Sequence, residues 1–432
     1  MKGPPAAPPA PETSPYAVLR NRDFLYYAVG RFAASFGQQM LTLAVMAELY
    51  DRTHSAMALG IVGLTQFLPM LAMTLPAGHF ADTRSRKGII ILTQGVMAAA
   101  SLGLALISWR QAPVSLVYVC LLVSGVARTF LWSASASFLP QLVSREELPR
   151  ALNWSSSTFQ FSAATGPVVG GVLYAMSNSA VGVYLVNVAA ALMCLALTWL
   201  VRTHHNPAVK EPFSLKAILG GFDFVFHHRI ILGMISLDLF AVLFGGADTL
   251  VPQYAADILH VGKAGLGLLK AAMPIGSIAC ALTLAHLPPF NKAGRAMILA
   301  VVVFGLATIG FGFSRSFWLS LLMLFLCGMA DAISIVIRHT SVQLLTPDAM
   351  RGRVSSVNNL FIGTSNELGG AESGFVSAWQ GPVFSVVFGG AATLLVVGAV
   401  CRFFPEIPRY GKLVQPAPAP FSEATGLDTK PS

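Results

Sequence analysis

The sequence predicts an all-α membrane protein: twelve transmembrane helices arranged as two pseudo-symmetric six-helix halves. Three observations carry this reading. The 432 residues are 55% hydrophobic and only 11% charged, with a mean hydropathy of +0.67, far from soluble averages. A window of about 20 residues, the length that crosses a bilayer core, separates roughly twelve apolar stretches between Phe24 and Phe404. Basic residues crowd onto alternate loops.

Taken in order, residues 1–23 are rich in Pro and Ala and lack the apolar core of a cleavable signal peptide, so they read as a disordered tail and the first span as both signal and anchor. The spans of the first half are then 24–50, 55–78, 88–109, 113–138, 151–177 and 179–201. The longest polar stretch, 202–228, reads as a linker between the halves. The second half runs 229–254, 264–287, 293–314, 317–341, 351–378 and 381–404, and 405–432, again Pro-rich, is a second disordered tail. With both termini placed inside, 20 of the 28 Lys and Arg fall on the inner side and only Arg52, Arg110, Lys263 and Arg315 on outer loops. The positive-inside rule therefore predicts cytoplasmic termini. It also explains the net charge of +9 as topology, which leaves no need for a nucleic-acid partner.

The halves repeat. A shift of 202 positions sets 141–148 against 343–350 and Phe159 onto Phe361, at the same topological place. Parallel six-span halves with a binding site between them near the bilayer midplane predict alternating access. All five cysteines sit in or at the ends of apolar spans, which indicates buried thiols and neither a disulfide frame nor a metal site. The sequence has no Gly-x-x-x-x-Gly-Lys-Ser/Thr loop and no credible catalytic set. An enzyme and a cofactor are not expected, and energy must come from a gradient or a partner.

Between spans two and three stands Gly78-His79-Phe80-Ala81-Asp82-Thr83-Arg84-Ser85-Arg86-Lys87-Gly88. Gly78 would allow close helix approach, Asp82 would pair with a cation on a neighbouring helix, and Arg86 and Lys87 would hold the loop inside, together forming a conformational latch. In the fifth span, Gly166-Pro167-Val168-Val169-Gly170-Gly171 puts small residues on one face and a bend-forming proline beside them. The first motif resembles the loop signature of the major facilitator superfamily, Gly-x-Leu-Ala-Asp-Arg-x-Gly-Arg-Lys, from which Phe80, Thr83 and Ser85 depart. The second resembles the end of that superfamily's antiporter motif, with Ser162 where an upstream glycine belongs. Asn21-Arg22-Asp23-Phe24, Gly30-Arg31-Phe32, Leu344-Leu345-Thr346-Pro347 and Arg351-Gly352-Arg353-Val354 are closest to its enterobactin-exporter-like branch. The resemblance covers 21–409 and implies export of a small organic molecule, siderophore-like or amphiphilic, across a bacterial inner membrane by proton antiport.

Charged residues at membrane depth are functional hypotheses by default. Asp238 lies about 14 Å along its helix from Arg229 at 1.5 Å per residue, close to mid-membrane, and leads the proton-coupling candidates. Glu367 follows, then Asp331 with Arg338 two turns away on the same helix face. Arg128 on span four resembles the superfamily's fourth-helix arginine, with a structural pairing to Asp82 as the alternative. Lys270 is expected to snorkel outward. Arg31, Phe36, Gln38, Gln39, Trp132 and Phe240 are candidates to line a substrate cavity, against the plainer reading of packing and interface anchoring. The expected partners are a small-molecule substrate, protons and the lipid bilayer, and a monomer is expected. The rival readings are a broad multidrug antiporter and, from another class, a non-transporting receptor or scaffold.

Overall fold

The computed structural model describes residues 16–202, 215–288, 290–347 and 350–411. Twelve long helical passes make up nearly all of it, and no strand occurs among the described residues. The first six are α1 (Arg22–Thr53), α2 (Ala56–Thr83), α3 (Arg86–Trp109), α4 (Ser115–Phe138), α5 (Leu148–Ser177) and α6 (Val181–Leu200). The second six are α7 (Arg229–Phe244, carried on to Ile258 by a 3-10 turn and a π-turn), α8 (Lys263–His286), α9 (Ala293–Phe313), α10 (Phe317–Leu345), α11 (Arg351–Gln380) and α12 (Pro382–Phe403).

Local chemistry sets the boundaries. The Asn21 side chain caps α1 by accepting from the backbone N–H groups of Asp23 and Phe24, and Ser85 Oγ caps α3 by accepting from the Gly88 N–H. Arg84 between α2 and α3 leaves helical geometry at φ −113°, ψ 168°. Most predicted spans are recovered to within a few residues, and the difference at α2 is informative. α2 runs on to Thr83 through Pro76, so Gly78, Ala81 and Asp82 belong to its last turns and not to a loop.

The chain shuttles between two ends. One carries both described termini and is called here the terminal end; the other is the far end. Within the first half α1 packs on α5 and α6, α3 on α4 and α6, and α2 on α4. Adding six to each label gives the main pairs of the second half: α7 on α11 and α12, α9 on α10 and α12, and α8 on α10. The halves meet chiefly through α2 against α11 and α5 against α8, pairs that the same pseudo-twofold relation exchanges.

The halves share a hydrophobic core toward the far end. The largest hydrophobic core spans both, running from Met40 and Tyr50 to Leu250, Tyr254 and Leu266. Toward the terminal end each half keeps a core of its own, around Phe138 in the first and Met297 in the second. There Leu152 and Phe159 of α5, Leu282 of α8 and Phe80 of α2 are exposed. The molecule is therefore open toward the terminal end.

Among the described residues nine helices are long and apolar enough to cross a membrane. α1, α5 and α11 fall short of that standard because they carry polar and small residues used between helices, including Gln38, Ser162 and Glu367. Parts of the three segments expected to be disordered or loosely polar prove to be ordered. Ala17–Arg20 forms a 3-10 turn with Val18 fully buried, within the tail predicted for 1–23. Leu215–His227, inside the predicted linker, is a helix whose Val225 is fully buried. Glu406–Arg409 is helical, and Ile407 packs against Gly233 and Gly294. The remainder of those tails and of the linker lies outside the described residues.

Candidate functional site

An ion pair ties the two halves at mid-depth. Arg128 Nη2 of α4 donates to Glu367 Oε1 of α11 at 2.6 Å, across 239 residues of sequence. Both side chains are half-buried, and a charge-assisted bond of this length in low dielectric is a strong one. Beside it lies a pocket within the first half, with Gln38 and Thr42 of α1, Gln66 of α2 and Ser124 and Arg128 of α4 as its polar groups, and Val45, Met46, Met97 and Leu121 among its apolar ones. Arg128 thus faces both a carboxylate on the other half and a polar recess on its own. The alternative pairing with Asp82 falls on a side chain outside the described ones.

Of the other cavity candidates, Phe36 carries its ring against Phe32, which also approaches Phe161, in each case with 6.0 Å between centroids. Gln39 turns toward α5, where its Cβ lies 2.7 Å from the place a Cβ on Gly166 would take. Arg31 is half-buried, two turns from Gln38 toward the terminal end. Trp132 is exposed, one turn below Arg128 on α4, and Phe240 is exposed and stacks on Phe244 at 6.5 Å. Neither lines the recess beside Arg128.

Asp238 and Arg338 are brought together inside the second half as a buried ion pair between α7 and α10, with side-chain exposures of 6% and 2%. Arg338 Nε has no hydrogen-bond partner among the described residues. Asp331 opens with Asp238 and Ser334 onto one small cavity walled by Val301 and Phe304 of α9. Lys270 does not snorkel: its Nζ donates to the Asp248 carboxylate at 2.7 Å and to the Asp248 carbonyl at 2.8 Å, because that acid stands within reach at the irregular end of α7.

The far-end closure is built from backbone. A Cβ on Gly171 would stand 2.4 Å from the Lys263 carbonyl oxygen, and one on Gly267 would stand 2.5 Å from that of Pro167. Gly60 and Gly374 meet in the same way, and a Cβ on Gly63 would lie 2.5 Å from the Glu367 carbonyl oxygen. The glycine motif of α5 therefore serves two surfaces: Gly166 and Gly170 receive α1, and Gly171 receives α8. Gly78 is different, since nothing lies within 4 Å of a Cβ placed there. The close approach expected at Gly78 does not occur, because the terminal ends of the halves stand apart. Arg86 donates to the carbonyls of Ala81 and Ser137, both at 3.3 Å, and Lys87 to those of Trp199 and Val201 at 2.8 and 2.7 Å. These cations brace helix ends of the first half.

The same closure holds a charged clasp that the sequence reading left out. Lys263 Nζ lies 2.5 Å from Asp51 Oδ1 and 5.4 Å from the centre of the Tyr174 ring, and Tyr174 Oη donates to Asp51 Oδ2 at 3.2 Å. Tyr50 Oη donates to Asp257, also from one half to the other. A signal was available: of the few cations assigned to outer loops, Lys263 is one, and a cation that breaks the charge bias needs a reason.

A family model for the Major Facilitator Superfamily matches residues 27–365 and 290–429. The chain is 28% identical over 393 residues to the Enterobactin exporter EntS of Citrobacter koseri, covering 91% of this chain and 93% of that protein. It is 28% identical over 383 residues to the Enterobactin exporter EntS of Escherichia coli O1:K1, covering 88% and 92%. Among solved structures, a variant of the nucleoside transporter NupG superposes with a TM-score of 0.69 at 14% identity, covering 88% of this chain and all of that one. A bacterial homolog of the human lysosomal transporter Spinster, in an inward-facing and occupied conformation, gives 0.71 at 13% identity, covering 92% and 98%. These two likenesses concern the fold.

Proposed function

The chain belongs to the Major Facilitator Superfamily and is a multi-pass membrane transporter, and we propose that it exports a small siderophore-like or amphiphilic organic molecule across the bacterial inner membrane by proton antiport. The orientation follows from the charge bias, which puts both termini in the cytoplasm. The open terminal end then faces the cytoplasm and the closed far end faces outward, a state ready to load cytoplasmic substrate. The kinship with proteins named Enterobactin exporter supports the direction and the substrate class.

The observation that carries the coupling is the 2.6 Å pair of Arg128 and Glu367. With Glu367 ionised, the guanidinium is engaged across the halves. Protonation removes the acceptor charge, and Arg128 is released toward the recess of Gln38, Gln66 and Ser124, where a catecholate or other anionic group matches its fork of donors. Proton and substrate thereby bias the same tie between halves, which is the differential interaction that a coupled equilibrium needs. The apolar wall containing Met46 and Met97 supports a second reading, a multidrug antiporter, because methionine adapts to unlike shapes.

The test uses proteoliposomes with enterobactin as the probe and an imposed pH gradient. Wild type is expected to accumulate enterobactin uphill. Glu367→Gln should lose uphill accumulation and keep downhill exchange. Uphill accumulation at the wild-type level in that variant would refute the assignment, and failure of wild type to move enterobactin while moving unrelated amphiphiles would favour the multidrug reading.

A further inference from the structure

At the terminal end of the first half a basic recess opens between α3, α4 and α6. Ser85, Arg86, Lys87, Gln141 and Arg202 line it, and Trp199 forms its rim. Arg86 and Lys87 spend some donors on the four helix-end carbonyls described above, but carbonyls take up no charge. A guanidinium has five N–H donors and an ammonium three, so each keeps donors to spare. Among the described residues none of Arg86, Lys87 and Arg202 forms an ion pair. The carboxylate recorded nearby, Asp23, accepts from the Arg202 backbone N–H at 2.9 Å. Three cations thus share one recess, and among the described side chains none of them is paired with an acid.

Directly beside it, on the outer flank of α6, Leu195, Ala196, Trp199 and Leu200 outline an apolar groove. Trp199 and Leu200 border both spaces, and Trp199 is 68% exposed, as suits an indole at a membrane interface. A single molecule filling both must be anionic at one end and a long hydrocarbon at the other. We propose that this is a binding site for an anionic phospholipid of the adjoining leaflet, with its phosphodiester among Arg86, Lys87 and Arg202 and an acyl chain laid along Leu195 and Trp199. Basic pockets between spanning helices take anionic headgroups by this chemistry. A free phosphate would meet the charge and leave the groove empty. Bound there, the lipid joins the start of α3 to the end of α6 and braces the first half where the halves stand apart.

The site is separate from Arg128 and Glu367, so its test needs no substrate. The purified full chain would be titrated in detergent with phosphatidylglycerol, phosphatidylcholine or inorganic phosphate, and bound lipid counted by native mass spectrometry alongside the melting temperature. We expect phosphatidylglycerol to bind at least tenfold more tightly than phosphatidylcholine. Arg202→Gln should reduce that preference to about threefold or less, and Arg202→Lys should restore most of it. Ala196→Phe, which fills the groove, should weaken phosphatidylglycerol while leaving any effect of inorganic phosphate unchanged. Equal binding of the two lipids would overturn the proposal. So would a preference that survives both Arg202→Gln and Ala196→Phe, or full displacement of phosphatidylglycerol by inorganic phosphate.

Discussion

Replacing Asp238 by Asn separates a structural from a proton-carrying role at a buried charge of the second half. The substitution keeps volume and removes the charge, which leaves Arg338 ionised at 2% side-chain exposure with its Nε already unpartnered among the described residues. Breaking a buried pair from one side costs about 3–5 kcal/mol. At 1.36 kcal/mol per tenfold this is roughly two to four powers of ten in the folding equilibrium, from a total stability that is typically about 5–15 kcal/mol. Asp238→Asn should therefore melt well below wild type when followed by fluorescence-detected size exclusion after heating. The double variant Asp238→Leu with Arg338→Met removes both charges and refills the space, and should recover most of the loss, because well-packed apolar replacements of buried pairs are often neutral or better. If that variant is stable and still drives uphill transport, the pair is a brace between α7 and α10. An unchanged melting temperature in Asp238→Asn, or a double variant as unstable as the sum of the singles, would refute the reasoning.

The far-end clasp makes a smaller prediction. Asp51 and Lys263 keep 40% and 27% side-chain exposure, so screening holds their pair to about 1 kcal/mol or less. Lys263→Gln should shift the balance between open and closed far ends by up to about fivefold, read as spin-label distances between the halves, with an unshifted distribution counting against the clasp. Gly267→Ala puts a Cβ 2.5 Å from the Pro167 carbonyl oxygen and should wedge the far end apart, making vesicles leak protons; tight, fully active vesicles would show that the halves yield there. Gly78→Ala meets nothing within 4 Å and should be neutral or stabilising by up to about 1 kcal/mol, since Ala favours the helix. Its loss of transport with a normal melting temperature would mean that the terminal ends close on Gly78 in another state. Asp82→Asn should reduce transport at normal membrane abundance, and normal flux would remove Asp82 from the latch.

The spans were legible because apolar length and turn residues are local properties, and their ends agree with the structure to within a few residues except at α2 and α7. The linker helix Leu215–His227 escaped notice although Leu215, Ile218, Leu219, Phe222 and Val225 recur at helical spacing; its polar neighbours obscured the stripe. Arg128 and Glu367 were each legible as charges at depth, but nothing local joins residues 239 apart. The clasp of Asp51 and Lys263 was hidden for the same reason, and because residues at helix ends draw no suspicion from their polarity. At Gly78, open in this state, a small residue states what is permitted and not whether a neighbour comes.

The glycine-lined joint between α5 and α8 and between α2 and α11 has a bearing on how such a protein diversifies. Where carbonyl oxygens meet bare α-carbons, the bearing surface is main chain, which every sequence supplies. Side chains that line the recess, such as Gln38, Gln66 and Ser124, stand off that surface and can be exchanged without recutting it. A lineage could thus change its cargo through a handful of substitutions in the recess while its moving parts keep their fit, so long as a few positions decline to grow a side chain.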